Sequence, residues 1–227
     1  MVCAISVAAG KGTRMGPHVD KLFLELHGSP VVAHTWRRFD QCPGIDQILL
    51  VVREDMASAF SELAAKIAIR KPFKLVNGGP QRQDSVWNGL CALPVQTDIV
   101  AIQDGARPCT SVDLISATIA AARETGAAVA AQALTDTIKE SGDGKIVERT
   151  LDRSRLWSVQ TPQTFRVGII RRALEVVRQQ GLEVTDDTAA CELIGQAVRL
   201  VLSPEPNPKV TRPEDLPYVE FLLKRQN

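Results

Sequence analysis

Short apolar runs alternate with longer amphipathic segments along most of the chain. Runs of about four to eight apolar residues are typical of buried strands, whereas apolar residues that recur on one helical face indicate helices. The strands predicted in this way cover residues 2–7, 48–52, 73–76, 99–102, 127–134 and 198–202. Because strands alternate with helices, the pattern predicts an α/β fold, with a mostly parallel sheet that is covered on both faces.

Several of the helical segments also carry signals at their ends. Ser29 and Pro30 predict a capped helix whose first residue is Pro30. Gly126 predicts the end of a helix that covers 115–123, and the capping box Thr-Arg-Pro-Glu at 211–214 predicts the start of the last helix. The other predicted helices lie across 56–67, 85–93 and 170–177.

One segment departs from this alternation. Residues 136–140 and 146–151 flank the turn Ser-Gly-Asp-Gly, which predicts a β-hairpin. A two-stranded ribbon buries too little apolar surface to be stable by itself, so it must pack against other protein. A second copy of the chain is the economical partner, and the ribbon's own domain is the alternative. We therefore expect a single domain over 1–227, with a β-arm at about 136–156 that serves dimerisation.

Composition narrows the class of protein. The chain has 227 residues, enough for one α/β domain, and its 27 Lys and Arg against 26 Asp and Glu give a net charge of +1. The cations are scattered among acids, so no nucleic-acid partner is expected. No apolar run approaches the roughly 18 residues that span a membrane. Neither a membrane segment nor a signal peptide is expected, and the predicted location is cytoplasmic.

The cysteines and histidines, which are common metal ligands, predict no structural metal site. The five cysteines are odd in number and widely spaced, which is typical of reduced thiols in a cytoplasm. The three histidines make no ligand spacing with acids or cysteines, so a structural zinc site is not expected.

The loop after the first strand is the most informative stretch. Residues 8–16 read AAGKGTRMG, and such small residues let backbone N–H groups approach a phosphate and form an anion cradle. Arg14, and Lys21 a few residues later, would add fixed positive charge. The loop therefore predicts a polyphosphate site at the carboxyl end of the first strand.

Other interpretations of this loop exist. A dinucleotide-binding fingerprint needs its third glycine at position 15, where the chain has Met15 and places Gly16 one residue late. A P-loop sequence occurs nowhere in the chain. A tight turn without a ligand stays open on this loop alone, because a lone glycine-rich loop is weak evidence.

Polar and charged residues recur after the later predicted strands, at 77–85, 103–108 and 207–211. Because the carboxyl ends of parallel strands meet at one edge of a sheet, we expect these residues to converge on one ligand site. Asp104 directly follows a buried strand and is the expected ligand of Mg²⁺ or of a ribose, since Mg²⁺ prefers one or two carboxylates plus phosphate oxygens. A helix cap or turn cap is the alternative role for Asp104.

Taken in order, these motifs resemble the 2-C-methyl-D-erythritol 4-phosphate cytidylyltransferases of the non-mevalonate isoprenoid pathway. No single motif is decisive, but the ordered set runs over nearly the whole chain and is highly specific. The matching stretches are AAGKGTRMG (8–16), DKLFLELHGSPVVAHT (20–35), GGPQRQDSVWNGL (78–90), QDGARPC (103–109), GAAVAAQALTDTIK (126–139), TLDRSRLWSVQTPQTF (150–165), TDDTAACE (185–192) and NPKVTRPEDL (207–216).

The resemblance implies a Rossmann-like three-layer nucleotidyltransferase fold, similar to glycosyltransferase A, and a homodimer with exchanged β-arms. It implies CTP and methylerythritol phosphate as substrates and Mg²⁺ as cofactor. The implied catalytic cations are Arg14 and Lys21. The implied acceptor-binding residues are Arg153, Lys209, Thr137, Arg107 and Thr185, with Arg153 and Thr137 contributed by the partner's arm. The implied nucleotide pocket consists of Ala8, Ala9, Gly10, Gly12, Gly79, Ser85 and Asp104, and Asp104 is also the expected metal ligand.

The chain departs from the family pattern at a few positions. Asp20 and Leu22 stand where proline and glutamine usually flank the catalytic lysine. Gln103 and Gly105 replace the histidine and alanine that usually flank the aspartate of the fourth strand. Pro80 has no N–H group to donate to a base. These changes spare the charged residues, and they leave the turn around the lysine and the base contacts open.

Rival functions differ in what they need from the sequence. A sister cytidylyltransferase that acts on ribitol 5-phosphate shares the glycine-rich loop, but Ala106 and the TLDRS-LW stretch favour methylerythritol phosphate. A non-catalytic nucleotide-binding protein is disfavoured because the cations Arg14, Lys21, Arg153 and Lys209 are all present. A Rossmann oxidoreductase is disfavoured by the displaced glycine.

Overall fold

The computed structural model describes residues 1–10 and 20–226, which form a layered α/β fold. The strands are β1 (Val2–Ala8), β2 (Glu25–Leu26), β3 (Ser29–Pro30), β4 (Gln47–Val52), β5 (Phe73–Asn77), β6 (Ile99–Asp104), β7 (Ala127–Ala133), β8 (Lys139–Glu140), β9 (Arg149–Thr150), β10 (Trp157–Arg166) and β11 (Arg199–Leu202). The helices are α1 (Val31–Gln41), α2 (Ala57–Lys66), α3 (Arg82–Cys91), α4 (Val112–Thr125), α5 (Val167–Gln179), α6 (Asp187–Leu193) and α7 (Asp215–Arg225).

Within the described residues, seven of these strands form the central sheet, in the order β11-β7-β10-β6-β1-β4-β5. Strands β6, β1, β4 and β5 run parallel, as do β11 and β7. Strand β10 runs antiparallel to both of its neighbours, β6 and β7. The predicted α/β class with a mostly parallel sheet is confirmed, and the six predicted strands all lie in this sheet.

Strand β10 was missed because its residues are largely polar. Gln163 and Thr164 are nevertheless almost completely buried. Gln163 Nε2 donates to the Asp186 carboxylate at 2.8 Å, and the hydroxyls of Thr164 and Thr118 lie 3.0 Å apart. Buried polar groups are tolerated when they are hydrogen-bonded, so a polar strand can occupy the middle of the sheet.

Two apolar layers cover the two faces of the sheet. Helices α1, α2, α4 and α7 pack on one face, where Trp36, Phe39 and Phe60 are buried. Helices α3, α5 and α6 pack on the other face, where Leu90 and Leu174 are buried. Each large apolar side chain of this kind contributes roughly 1.5–3 kcal/mol when it is fully buried. The three-layer arrangement holds the carboxyl ends of the parallel strands at one edge.

Two predicted helix starts were misplaced. Helix α1 begins at Val31, because Ser29 and Pro30 pair with β2 as strand β3. Helix α7 begins at Asp215, after the predicted capping box. The Asp215 carboxylate accepts the N–H groups of Thr211 and Arg212 at 2.7 and 2.8 Å, so it caps the preceding turn.

The predicted hairpin is present as a separate two-stranded ribbon, β8–β9, which stands apart from the central sheet. Its turn is held by Asp143 Oδ1, which accepts the N–H groups of Lys145 and Ile146 at 2.8 and 2.9 Å. Ile146 and Val147 are 70% and 57% exposed, so little apolar surface of the ribbon tip is covered within this chain. Within the described residues, the apolar side chains at the ribbon tip are therefore largely uncovered.

The helices that the structure describes include none long and apolar enough to cross a membrane. All five cysteines are free thiols, and four of them are buried, with Cys91 exposed. Burial raises the pKa of Cys109 to about 11 and that of Cys191 to about 12, so both thiols stay protonated at neutral pH.

Candidate active site

A cavity of about 800 Å³ lies at the carboxyl ends of β1, β4, β5 and β6. Ligands of parallel sheets bind at this edge. The side chains and backbone that line it are those of Val7, Ala8, Ala9, Gly10, Lys21, Leu22, Arg53, Glu54, Gly78, Gly79, Pro80, Gln81, Arg82, Ser85, Asp104, Gly105, Ala106, Lys209 and Thr211. The described members of the predicted nucleotide pocket all lie on this one surface. Gly12 and Arg14 fall outside the described residues.

One wall of the cavity consists of closely packed small residues. A Cβ atom added to Gly78 would lie 2.3 Å from the Cβ of Ala9, and one added to Gly79 would lie 2.4 Å from the Cβ of Asp84. The Gly79 N–H donates to the Ser85 hydroxyl at 3.1 Å. The loops after β1 and β5 therefore pack directly against each other, and a side chain at Gly78 would collide with Ala9.

Asp104 also lines the cavity and is ion-paired on both carboxylate oxygens. Oδ2 is 2.7 Å from Lys209 Nζ and 3.8 Å from Arg107 Nε, and Oδ1 is 3.2 Å from Arg82 Nε. Burial works to raise the pKa of Asp104, but Arg82, Lys209 and Arg107 together hold it well below its usual range. Asp104 is therefore ionised at neutral pH.

The sequence predicted that residues 77–85, which include Arg82, would converge on this site, but it assigned Arg82 no role and did not assign Asp187 to the site. Arg82 Nη2 lies 2.9 Å from Asp187 Oδ2, and the Asp187 side chain is 1% exposed. Burial raises the pKa of Asp187, and Arg82 opposes that shift. Arg82 thus bridges two carboxylates from distant parts of the chain. Both residues lie in motifs that resemble those of the family, GGPQRQDSVWNGL and TDDTAACE. Their places in these motifs could have indicated that they belong to the site.

Lys21 reaches across the cavity mouth. Its Nζ donates to the Val210 carbonyl at 3.0 Å, next to Lys209. The predicted catalytic lysine and one predicted acceptor-binding lysine are therefore on the same side of the cavity. Two segments that are distant in sequence, 20–22 and 209–211, meet at this point.

A second, smaller cavity of about 320 Å³ adjoins the first, and Lys209 lines both. Arg107 also lines it, and its Nη1 donates to the Asn207 carbonyl at 2.6 Å. The structure thus places Arg107 and Lys209, two of the predicted acceptor-binding residues, beside the nucleotide pocket.

The other predicted acceptor-binding residues lie elsewhere. Thr137 and Arg153 are exposed at the base of the ribbon, where Arg153 donates to the Thr135 carbonyl. Thr185 is exposed just before α6. Within the described part of the chain, none of these three residues lines either cavity.

The departures from the family pattern have local partners. Leu22 is buried in the core. Gln103 Nε2 donates to the Thr110 hydroxyl at 2.9 Å. The Gly105 N–H donates to the Val7 carbonyl at 3.0 Å, and an added Cβ there would lie 3.2 Å from that same oxygen. Glycine at this position keeps the backbone of β6 close to β1 at the cavity edge.

The donor set can be compared with the needs of Mg²⁺. Among the described residues no group of three or more His, Cys, Asp or Glu side chains could hold a metal ion. Asp104 and Glu54 are the carboxylates among the described residues that line the cavity. Mg²⁺ is commonly bound by one or two carboxylates together with substrate phosphates and waters. The residues therefore fit an ion that arrives with a polyphosphate, and they do not form a pre-built metal cage.

The sequence model of the IspD family, 2-C-methyl-D-erythritol 4-phosphate cytidylyltransferase, matches residues 2–225. The chain belongs to this family. A relative of that name from Pelotomaculum thermopropionicum is 42% identical over 98% of this chain and 94% of its own length. Another from Syntrophotalea carbinolica is 44% identical over 95% of this chain and 93% of its own length.

Solved structures agree with the IspD assignment. The 4-diphosphocytidyl-2C-methyl-D-erythritol synthase of Anaerococcus prevotii superposes with a TM-score of 0.87 at 30% identity, covering 99% of this chain and 98% of its own. The 2-C-methyl-D-erythritol 4-phosphate cytidylyltransferase of Thermus thermophilus superposes with a TM-score of 0.78 at 28% identity, covering 99% of this chain and 100% of its own. The expected nucleotidyltransferase fold is confirmed, and the ribitol phosphate alternative is not favoured.

The contact between Gly78 and Ala9 makes a prediction. Gly78→Ala should weaken CTP binding at least about tenfold, because the new methyl group must displace Ala9 from the cavity wall. Isothermal titration with CTP measures the effect. Gly168→Ala is the matched control, since its Cβ meets no described atom within 4 Å. Equal CTP affinity of the two variants would show that this wall does not contact the nucleotide.

Proposed function

We propose that this chain transfers the cytidylyl group of CTP to 2-C-methyl-D-erythritol 4-phosphate, giving 4-diphosphocytidyl-2-C-methyl-D-erythritol and pyrophosphate. The observation that carries the proposal is the pair of adjoining cavities that share Lys209, one with a small-residue wall and one lined by Arg107. Such a pair can hold a nucleotide and a sugar phosphate side by side. Family membership supports the identity of both substrates.

The chemistry needs cations rather than a nucleophilic side chain. An oxygen of the acceptor phosphate attacks the α-phosphorus of CTP, the new P–O bond forms, and the bond to pyrophosphate breaks. The attacking oxygen is already an anion, so no general base is needed. Catalysis then consists of holding two polyanions in line and offsetting the crowded negative charge.

The residues take distinct roles in this scheme. The small-residue wall with Ala8, Ala9, Gly79 and Ser85 receives the base and ribose of CTP. Lys21 stabilises charge that grows on the α-phosphate. The remaining roles are predictions from the sequence. Gly10 and Gly12 belong to the phosphate cradle, Arg14 is the second catalytic cation, and Arg107, Lys209 and Thr185 bind the acceptor.

We propose Mg²⁺ as the cofactor, with Asp104 as its protein ligand and phosphate oxygens as the rest of its donors. Bound there, the ion would neutralise charge on the triphosphate. Asp104 stays ionised beside three cations, as a metal ligand must. Those cations also hold its carboxylate at the cavity wall.

We also propose a homodimer with exchanged arms, in which Thr137 and Arg153 serve the site of the partner. The exposed apolar residues of the ribbon tip and the position of Arg153 outside both cavities support this assembly. A cytoplasmic location is supported by the five free thiols.

Pyrophosphate release tests the function directly. The purified protein is assayed with CTP, UTP, ATP and GTP, each with methylerythritol phosphate and with ribitol 5-phosphate. Release with CTP and methylerythritol phosphate only is the expected result. A preference for ribitol 5-phosphate, or release with none of the pairs, would contradict the proposal.

Lys21→Ala should lower kcat by at least ~10²-fold, because it removes one electrostatic stabiliser of the transition state. Steady-state kinetics of pyrophosphate release give kcat and KM separately. Lys74→Ala is a matched control, since Lys74 is an exposed lysine of β5 outside both cavities. A near-normal kcat with only weaker CTP binding would make Lys21 a binding residue.

Arg153→Ala should raise KM for methylerythritol phosphate at least about tenfold and leave KM for CTP within about twofold, because Arg153 is assigned to the acceptor phosphate alone. Initial rates over a grid of both substrate concentrations measure the two constants. Arg155→Ala, two residues along the same exposed turn, is the control. Equal changes in both KM values would contradict the assignment.

The exchanged arm predicts complementation between two impaired chains, measured at methylerythritol phosphate concentrations far below the raised KM of Arg153→Ala. In a heterodimer of Arg153→Ala and Lys21→Ala chains, one site carries both defects and the other carries neither. On random pairing about half of the dimers are mixed, so activity should recover to about one quarter of wild type. The assay follows pyrophosphate release after subunit exchange, which mass spectrometry of the intact dimers verifies. Absence of recovery after verified exchange would place Arg153 in the site of its own subunit.

A further inference from the structure

The turn that carries Lys21 is tied to the end of β4 by an ion pair. Asp20 Oδ2 lies 3.0 Å from Arg53 Nη2, and each side chain is 19% exposed. Exposed ion pairs contribute little, because water and salt screen them. This pair is largely shielded, so losing one partner leaves the other charge poorly compensated.

Asp20 also organises the turn itself. Its Oδ1 accepts the Leu22 N–H at 3.0 Å, and its carbonyl accepts the Phe23 N–H at 3.0 Å. Leu22 is buried, and its carbonyl accepts the Val32 N–H at 3.1 Å. The backbone of Lys21 is therefore fixed between a residue anchored in the core and the Asp20 carboxylate.

Arg53 provides the rigid side of the pair. It directly follows Val52, a buried residue of β4 whose carbonyl accepts the Gly78 N–H at 2.8 Å. Arg53 Nε lies 3.2 Å from Asp55 Oδ1, but the Asp55 side chain is 72% exposed. Arg53 lines the same cavity as Lys21 and Gly78. It thus connects the small-residue wall to the turn that carries the lysine.

The ion pair between Asp20 and Arg53 also affects the charge around Lys21. Without Arg53, the Asp20 carboxylate would stand unneutralised beside Lys21, at the mouth of a cavity proposed to bind a triphosphate. An anion adjacent to a lysine attracts its ammonium group, which would draw Nζ away from the phosphate. With Arg53 present, Asp20 has its own cation, and Lys21 Nζ extends to Val210.

We propose that Arg53 is a positioning residue: through Asp20 it holds the turn that directs Lys21 at the reacting phosphate. This inference rests on the proposed role of Lys21 in cytidylyl transfer. Arg53 acts on kcat through the lysine and not by binding a substrate itself. Its effect must therefore disappear when the lysine is absent.

The experiment compares Arg53→Gln, Arg53→Lys, Asp20→Asn and the double variant Arg53→Gln/Asp20→Asn, each assayed for kcat and both KM values by pyrophosphate release. Arg53→Gln should lower kcat about tenfold and leave KM for methylerythritol phosphate unchanged, since displaced catalytic groups cost rate. Arg53→Lys keeps the charge and should recover most of the loss. The double variant should be no worse than the more impaired single variant, because the pair acts as a unit.

Two further variants isolate the mechanism. Asp55→Asn removes the exposed partner of Arg53 and should keep kcat within about twofold of wild type. Arg53→Gln added to Lys21→Ala should lower kcat by less than about twofold beyond Lys21→Ala alone. Thermal unfolding of every variant identifies any that loses its fold, and Asp20→Asn, which breaks the same ion pair and should also lower kcat, keeps the test decisive if Arg53→Gln does not fold.

The outcomes separate this inference from the function on which it rests. A raised KM for CTP that persists in the Lys21→Ala background would make Arg53 a phosphate-binding residue and overturn its positioning role. An unchanged kcat in Arg53→Gln would overturn it as well. If Lys21→Ala keeps a normal kcat, Lys21 is not catalytic and the positioning role of Arg53 is overturned with it, whereas absence of pyrophosphate release by the wild type would contradict the proposed function itself.

Discussion

The buried carboxylate of Asp104 is the constraint on which the site depends. A charge in that position is costly unless cations neutralise it, so the fold must bring them there. Arg82 comes from the start of α3, Arg107 from the loop after β6, and Lys209 from the segment that follows β11. Arg82 and Lys209 are distant in sequence from Asp104, whereas Arg107 lies only three residues after it. One negative charge at the end of β6 therefore fixes the walls of the cavity.

The same arrangement leaves positive charge for a ligand. Three cations, Arg82, Arg107 and Lys209, face the two carboxylates Asp104 and Asp187, which gives an excess of one positive charge. Lys21 and Arg53 also line the cavity, together with the carboxylate of Glu54. Polyanions are attracted to such a site, and fixed charges need no rearrangement when the reaction begins. The ion pairs that stabilise the protein thus also prepare it for phosphate chemistry.

The sequence predicted those structural elements whose apolar residues recur with the regular spacing of a strand or a helix. The parallel strands and most helices follow from apolar spacing, and the cavity edge follows from the rule that ligands bind where parallel strands end. Strand β10 escaped because Gln163 and Thr164 are polar yet buried, with partners far away in sequence. The pairing of Arg82 with Asp187 escaped for the same reason, since the two residues are distant in sequence and the local pattern gives no sign of their burial. Asp20 stands at a position where the chain departs from the family pattern. Its role could not be predicted from the sequence, because its partner Arg53 is 33 residues away and only the structure brings the two together.

The ribbon has a simple place in the topology. The Leu134 N–H donates to the Leu156 carbonyl, and Ala133 pairs with Trp157 in adjacent antiparallel strands. Strands β7 and β10 are therefore the two legs of one hairpin, and the whole ribbon is its loop. Lengthening a closed loop costs little free energy, because the entropy of closure grows only with the logarithm of its length. Evolution can therefore vary the size of this loop while the sheet that holds the site stays intact.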